Sequence, residues 1–148
     1  MPRIYLDVCC LNRPFDDQTQ ARIHLEAEAV LAIISRCETD DWEWISSEVV
    51  DLEISRIPDP ERRRRVQTMA SHSHITVVVG QEEVGRAREF ENWGILAYDA
   101  LHLACAESGG ADVFLTTDDN LLRKSTTHAR QLGFQVENPL AWVEEVLT

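Results

Sequence analysis

The chain has 148 residues, the length of one compact domain with a core of its own and too short for a linker and a second domain. Hydrophobic residues make up 44% and charged residues 27%, which excludes collagen-like, low-complexity and wholly disordered chains, and no apolar run approaches the roughly 18 residues that a membrane span needs. With 26 acidic against 14 basic residues the net charge is −12, so a general polyanion-coating role is excluded and any contact with nucleic acid has to be local. Met1 to Cys10 lacks the charged, apolar, small-residue order of a secretory signal, and a cytoplasmic protein is expected. Cys9, Cys10, Cys37 and Cys105 have neither CxxC spacing nor a disulfide framework and read as small hydrophobes of a reducing compartment.

In chain order, Arg3 to Asp7 reads as a strand ended by the turn signal at Asn12 to Pro14. Thr19 to Cys37 reads as an amphipathic helix that buries Ile23, Ala27, Val30, Leu31 and Ile34. Trp42 to Ser46 is a second strand, and Ser47 caps a helix that runs to about Ile57 before Pro58 and Pro60. A helix from Pro60 to Ser71, a strand from Ile75 to Val79 and a helix from Gln81 to Asn92 follow. Tyr98 to Gly110 is helical and apolar around most of its circumference, the mark of a helix buried between other elements. Ala111 to Thr117 reads as a strand, Asn120 to Leu132 as a helix, Phe134 to Val136 as a last strand and Pro139 to Leu147 as a closing helix. Strands alternating with helices predict an α/β fold with a parallel sheet covered on both faces.

Carboxylates stand where bulk solvation does not explain them. In an open parallel sheet the loops splay apart beyond the carboxyl ends of the strands, and ligands bind there. Asp7 ends the first strand, and Asp118 follows the strand Val113 to Thr117; singly, each also suits a turn or a helix cap. At 100° per residue, Glu53 falls on its helix between Ile57 and Val49, at the buried edge, whereas Glu48 and Asp51 project to the far side. A lone carboxylate there persists only if it is protonated, ion-paired or metal-bound, and Arg56 is within reach for an ion pair. Asp99 opens the apolar helix, with His102 three residues on. As converging acids, Asp7, Glu53, Asp99 and Asp118 would repel one another and require a cation, and oxygen-only ligands select hard ions, chiefly Mg²⁺ or Mn²⁺. Such a centre suits phosphodiester hydrolysis. His72 and His74 lack a companion ligand and read as surface residues. Thirteen of the 14 cations are arginine, and the run Arg62 to Arg65 reads either as phosphate forks or as a solvated helix face.

The sequence resembles PIN-domain nucleases, and more narrowly the VapC-type toxins of bacterial toxin–antitoxin pairs. The resemblance rests on Ile4-Tyr-Leu-Asp7 with Leu11-Asn12, on Ser47 with Glu53-Ile54, on Asp99-Ala-Leu-His-Leu-Ala104, and on Leu115-Thr-Thr-Asp118. It spans nearly the whole chain and is weak between Pro58 and Trp93. It implies that residues 1–148 form one PIN-like domain, a three-layer α/β/α sandwich with a central, mostly parallel sheet. It further implies one or two Mg²⁺ or Mn²⁺ ions held by Asp7, Glu53, Asp99 and Asp118, a metal-activated water attacking RNA phosphorus, and supporting roles for Thr116 and Asn12. A small antitoxin with a basic side chain in the cleft, a homodimer and no membrane association complete the expectation. Asp119 competes with Asp118 for the fourth position, and Glu48 or Asp51 with Glu53 should the helix phase differ.

Other classes remain beside a metal-dependent endoribonuclease. A catalytically silent partner-binding module would keep the fold and never cleave. An aspartyl-phosphate phosphatase would use Asp7 as nucleophile, but Cys9 stands where a second acid is usual. A dinucleotide-binding protein lacks the GxGxxG after the first strand.

Overall fold

The computed structural model describes residues 1–147. Its strands are β1 (Arg3–Leu6), β2 (Glu43–Ser47), β3 (Ile75–Val77), β4 (Val113–Leu115) and β5 (Gln135–Glu137), and its helices are α1 (Val8–Asn12), α2 (Ala21–Glu38), α3 (Glu48–Ser55), α4 (Pro60–Ala70), α5 (Gln81–Glu91), α6 (Ala97–Ser108), α7 (Asp119–Thr127) and α8 (Pro139–Val146). All five strands form one sheet in the order β3-β2-β1-β4-β5, and every neighbouring pair is parallel. The fold is a three-layer α/β/α arrangement, as the alternation of strand and helix in the sequence predicts.

The strands are short, and the three central ones, β2, β1 and β4, are buried on both sides. Successive side chains of a strand point to opposite faces, and Ile4, Tyr5 and Leu6 are all essentially inaccessible, so helices cover both. On one face Tyr5 stacks on Phe114, its register partner, with ring centroids 5.2 Å apart. The same face receives α6, whose last turn lies so close to the sheet that a Cβ on Gly109 would stand 2.8 Å from Ile45 and 2.9 Å from Val77. Glycine is required there for the approach, and Gly110 beside it takes φ +76°, a conformation that other L residues rarely adopt. Helix α5 packs along α6, and Trp93 beyond α5 stacks on His128 at the end of α7, 4.3 Å between centroids. Elsewhere α2 packs against α8, and Trp142 of α8 meets Trp42 edge-on.

The winding of the chain fixes where a site can form. It runs outward from β1 through β2 to β3, then returns through α5 and α6 to β4 on the other side of β1. Between β1 and β4 the direction of winding reverses, and the connections leaving these strands diverge beyond their carboxyl ends. Asp7 and Thr116 follow those two strands directly.

Several boundaries differ from the sequence reading. The turn expected after β1 contains the short helix α1, because Asp7 caps it by accepting from Val8 N–H at 2.8 Å; Arg13–Phe15 then forms a single 3-10 turn around Pro14. Helix α7 stops at Thr127 rather than Leu132; Ala129–Gln131 is a separate 3-10 turn. Strand β5 is shifted one residue later than expected, β3 ends at Val77, and β4 is shorter at both ends than expected. On α2, Leu31 is exposed, and the buried stripe runs through Glu26, Ala27, Val30, Ile33, Ile34 and Cys37. Cys10, Cys37 and Cys105 are buried free thiols, and Cys9 is half-buried.

Glu26, only 1% exposed, is a buried acid that the sequence pattern did not single out. Its carboxylate accepts from Arg13 Nε at 2.9 Å, Arg22 Nε at 3.2 Å and Asn138 Nδ2 at 2.6 Å. These bonds join α2 to the turn after α1 and to the cap of α8. A buried charge so bonded is strongly destabilising to break from one side. Glu26→Ala is expected to lower unfolding stability by about 2–3 kcal/mol in urea titration, discounting for the exposure of Arg22, and Glu26→Gln by less, because an amide oxygen still accepts.

Candidate active site

Four acids come from four different elements to the carboxyl edge of the sheet. Asp7 lies between β1 and α1, Glu53 on α3, Asp99 in the first turn of α6, and Asp118 at the cap of α7. Asp7 is nearly inaccessible and is held by Thr116, which is fully buried and donates from Oγ1 to Asp7 Oδ2 at 2.9 Å. The same hydroxyl accepts from Asp118 N–H at 3.1 Å, so one threonine sets the spacing of two acids. Cys9 packs into this corner, donating from Sγ to Asp7 Oδ2 at 3.4 Å and accepting from Thr117 N–H at 3.3 Å.

Asp118 is exposed and caps α7 through one oxygen, Oδ1, which accepts from Asn120 and Leu121 N–H at 2.9 and 3.2 Å. Asp119 faces elsewhere. Arg22 forks onto it at 2.8 and 2.7 Å and holds its carboxyl below the ordinary range. The two acids are placed differently: Asp118 neighbours Thr116, and Asp119 belongs to an outer ion pair.

The helix phase of Glu53 is resolved in the same way. Glu48 accepts from Val79 N–H at 2.7 Å at the β3 edge, and Asp51 is exposed on the side of α3 that faces Gln67 and Thr76. Glu53 turns toward α6 and accepts from His102 Nε2 at 2.7 Å. Arg56, expected as its ion-pair partner, instead donates to the hydroxyl of Tyr98.

His102 is the residue that the sequence reading undervalued. It is wholly buried, with Nε2 2.7 Å from Glu53 and 4.0 Å from Asp7 Oδ1. A carboxylate only accepts, so Nε2 carries hydrogen whether the ring is neutral or charged. In the neutral ring Nδ1 accepts from Tyr5 OH at 2.7 Å, and Tyr5 then accepts from Ser47 Oγ, also at 2.7 Å. Ser47 in turn takes the N–H of Val50 at 3.3 Å. Burial opposes the charged imidazolium, but the bond to Glu53 and the charges of Asp7, Glu53 and Asp99 outweigh it and raise its pKa. A polar chain through the apolar core thus ends on Glu53. The spacing Asp99–His102 was its only signal in sequence; Tyr5 read simply as a strand aromatic.

Asp99 reports that the acids converge. Burial pushes its carboxyl up to about 6, and the charge of Asp7 adds to this, opposed by His102 and reinforced by Asp118 and Glu53. Among the described residues no group of three or more His, Cys, Asp or Glu side chains is placed as it stands to hold a metal ion. The arrangement is an acidic cleft whose members repel, which is the donor chemistry a hard divalent cation relieves. Asn12 stands apart: its Nδ2 donates to Val8 O at 3.2 Å and its Oδ1 accepts from Arg62 at 3.4 Å, with no bond to any of the four acids.

The arginine run is internally satisfied. Arg62 pairs with Asp16 and Phe15 O, Arg63 donates to Ile57 O, and Arg64 and Arg65 both pair with Glu61. It is a structural and solvated helix face rather than a row of open phosphate forks.

The sequence matches the family model of the PIN domain over residues 4–126, a span that includes Asp7, Glu53, Asp99 and Asp118. Among solved structures, the fold is similar to a chain in the crystal structure of VapBC2 from Rickettsia felis bound to a DNA fragment from their promoter, with a TM-score of 0.59 and 14% sequence identity over 92% of this chain and 98% of that chain. No curated protein matches the sequence. A match over most of the length, on a parallel sheet that delivers acids to its winding reversal, shows that the chain belongs to the PIN domain family.

Proposed function

We propose that the protein is a Mg²⁺- or Mn²⁺-dependent endoribonuclease, the toxin of a toxin–antitoxin pair. The observation that supports this reading is the placement of Asp7, Glu53, Asp99 and Asp118 at the carboxyl edge of the sheet, with Thr116 bonded to Asp7 and to the amide of Asp118, and His102 bonded to Glu53 and 4.0 Å from Asp7. PIN-family membership supports nuclease chemistry, and the likeness to a VapBC2 chain supports an antitoxin partner.

In this reading Asp7, Asp99 and Asp118 supply the oxygens that hold the metal, and Glu53 closes the site from α3. A divalent ion held there polarises the phosphoryl oxygen and lowers the pKa of water. Thr116 fixes the rotamer of Asp7, and His102 fixes Glu53, so that two of the four carboxylates are oriented before substrate arrives. Burial of Asp7 and Asp99 strengthens their interaction with a cation relative to bulk water. An antitoxin with a basic side chain would satisfy the same acids and silence the enzyme. Cytoplasmic operation and a homodimeric assembly are the accompanying expectations, and no helix among the described residues is long and apolar enough to cross a membrane.

Purified protein incubated with RNA is expected to cleave it with Mn²⁺ and not with EDTA. Asp7→Asn and Asp99→Asn should each reduce the rate by at least ~100-fold, whereas Asp119→Asn, outside the cleft, should keep most of it. Wild-type inactivity under all metal conditions, or full activity of Asp7→Asn, would refute the reading.

Asp99 supplies a second prediction with a defined sign. Its folded-state pKa of about 6 lies above the ordinary carboxylate value, so the proton is bound more tightly when folded. The metal-free protein therefore gains stability from this group as pH falls through 6 and loses it as pH rises. At pH 7.5 Asp99→Asn is expected to stabilise the metal-free protein by about 1–2 kcal/mol, after allowance for solvent screening, while abolishing cleavage. Thermal melts across pH 5–8 check this, and a lower Tm for the variant at pH 7.5 would contradict it.

A further inference from the structure

The cleft opens on one side into a groove of about 500 Å³ lined by Glu53, Arg56, Leu96, Ala97, Tyr98 and Asp99. Two of these residues are large, apolar in body and exposed: Leu96 is 71% and Tyr98 39% accessible. Neither is needed to close the core, and both lie within three residues of Asp99. Arg56 reaches across from the end of α3, donates to the Tyr98 hydroxyl and holds its guanidinium 5.6 Å from the centre of that ring.

The partners of Arg56 set it apart from the arginines tied to carboxylates. The other arginines near the molecule's acids are largely neutralised: Arg13 and Arg22 by Glu26, Arg62 by Asp16, Arg64 and Arg65 by Glu61, Arg86 by Glu107. No carboxylate bonds Arg56 among the described residues; its partners are a hydroxyl and a π face. Arg56 shares the groove with Glu53 and Asp99 and is ion-paired to neither, so its charge faces the groove beside two of the acids. A ligand for this groove must offer an anion to Arg56 and a flat apolar surface to Leu96 and Tyr98, and must extend to the acids. A nucleotide combines these: phosphate for the guanidinium and a base for the ledge, with the neighbouring phosphate at the cleft.

We infer that Arg56, Leu96 and Tyr98 form a nucleobase subsite that holds one unstacked base of single-stranded RNA beside the bond to be cut. A base within a duplex has both faces covered by its neighbours and presents only its edge, so the ledge selects unpaired strands. Stacking on an aromatic ring is tolerant of base identity, so the ledge positions the strand more than it reads sequence. Tyr98 is held for this role by Arg56. The inference rests on the ribonuclease reading for the direction of the strand, while the subsite itself is measurable without turnover.

Two readouts separate the two. Fluorescence anisotropy of a labelled single-stranded 12-mer RNA, measured with Ca²⁺ in place of Mn²⁺, reports binding, and initial rates of cleavage with Mn²⁺ report KM and kcat. Tyr98→Ala and Arg56→Gln are each expected to weaken single-strand binding roughly tenfold and to raise KM by a similar factor with a smaller change in kcat. Tyr98→Phe should retain most of the affinity, Arg64→Gln should match wild type, and the same 12-mer in a duplex should bind at least ~10-fold more weakly. Unchanged binding and KM for Tyr98→Ala, or equal affinity for the duplex, would overturn the subsite and leave the ledge as a face for a protein partner. Cleavage that persists with wild-type KM in Tyr98→Ala removes the subsite alone. Ledge-dependent binding with no cleavage under any metal condition sustains the subsite and removes the ribonuclease reading, and absence of RNA binding removes both.

Discussion

The hydroxyl of Thr116 does what no single backbone contact can: it donates to Asp7 and accepts from the amide of Asp118, tying the first acid of the chain to one more than a hundred residues later. That double bond is possible only because β4 lies beside β1 in parallel register, so that Leu6 pairs with Leu115 and both strands end at the same height. The order of the sheet in turn depends on the return through α5 and α6, and that return depends on α6 lying flat enough on β2 and β3 for Gly109 to touch Ile45 and Val77. Sheet order, helix approach and site geometry are thus one constraint viewed at three scales.

A second link runs through the core. The polar chain from Val50 through Ser47, Tyr5 and His102 to Glu53 is fully bonded along its length, which is the condition under which buried polar groups rigidify rather than weaken a core. It anchors the acid on α3 to the central strand and to the helix that carries Asp99. The bond to Glu53 and the charges of Asp7, Glu53 and Asp99 outweigh burial and raise the pKa of His102, so the ring binds a proton more readily beside those acids than it would in water.

The parallel sheet and the positions of Asp7, Asp99 and Asp118 at element ends were legible because strand runs and helical periodicity are local signals. Glu53 was legible because a carboxylate at the edge of an apolar stripe is costly. What lay beyond the sequence were the pairings between distant segments. Glu26 lies on the buried stripe of α2, and two of the three partners that allow a carboxylate there, Arg13 and Asn138, come from other segments. Helix α1 hides in five residues, too few for an amphipathic pattern. His102 offered spacing but not its partner Tyr5, 97 residues away, and Arg62 to Arg65 suited either phosphate forks or a solvated helix face in sequence, with Asp16 and Glu61 as partners only in the fold.

Arg22 holds Glu26 with one nitrogen and Asp119 with two others, so the first turn of α2 grips the start of α7 while sharing a carboxylate with the cap of α8. Arg22 is thus common to a buried carboxylate and an exposed one. Withdrawing Asn138 from Glu26 would leave that buried carboxylate to Arg13 and Arg22, so the cap of α8 shares in a clasp whose other arm ends on the residue beside Asp118.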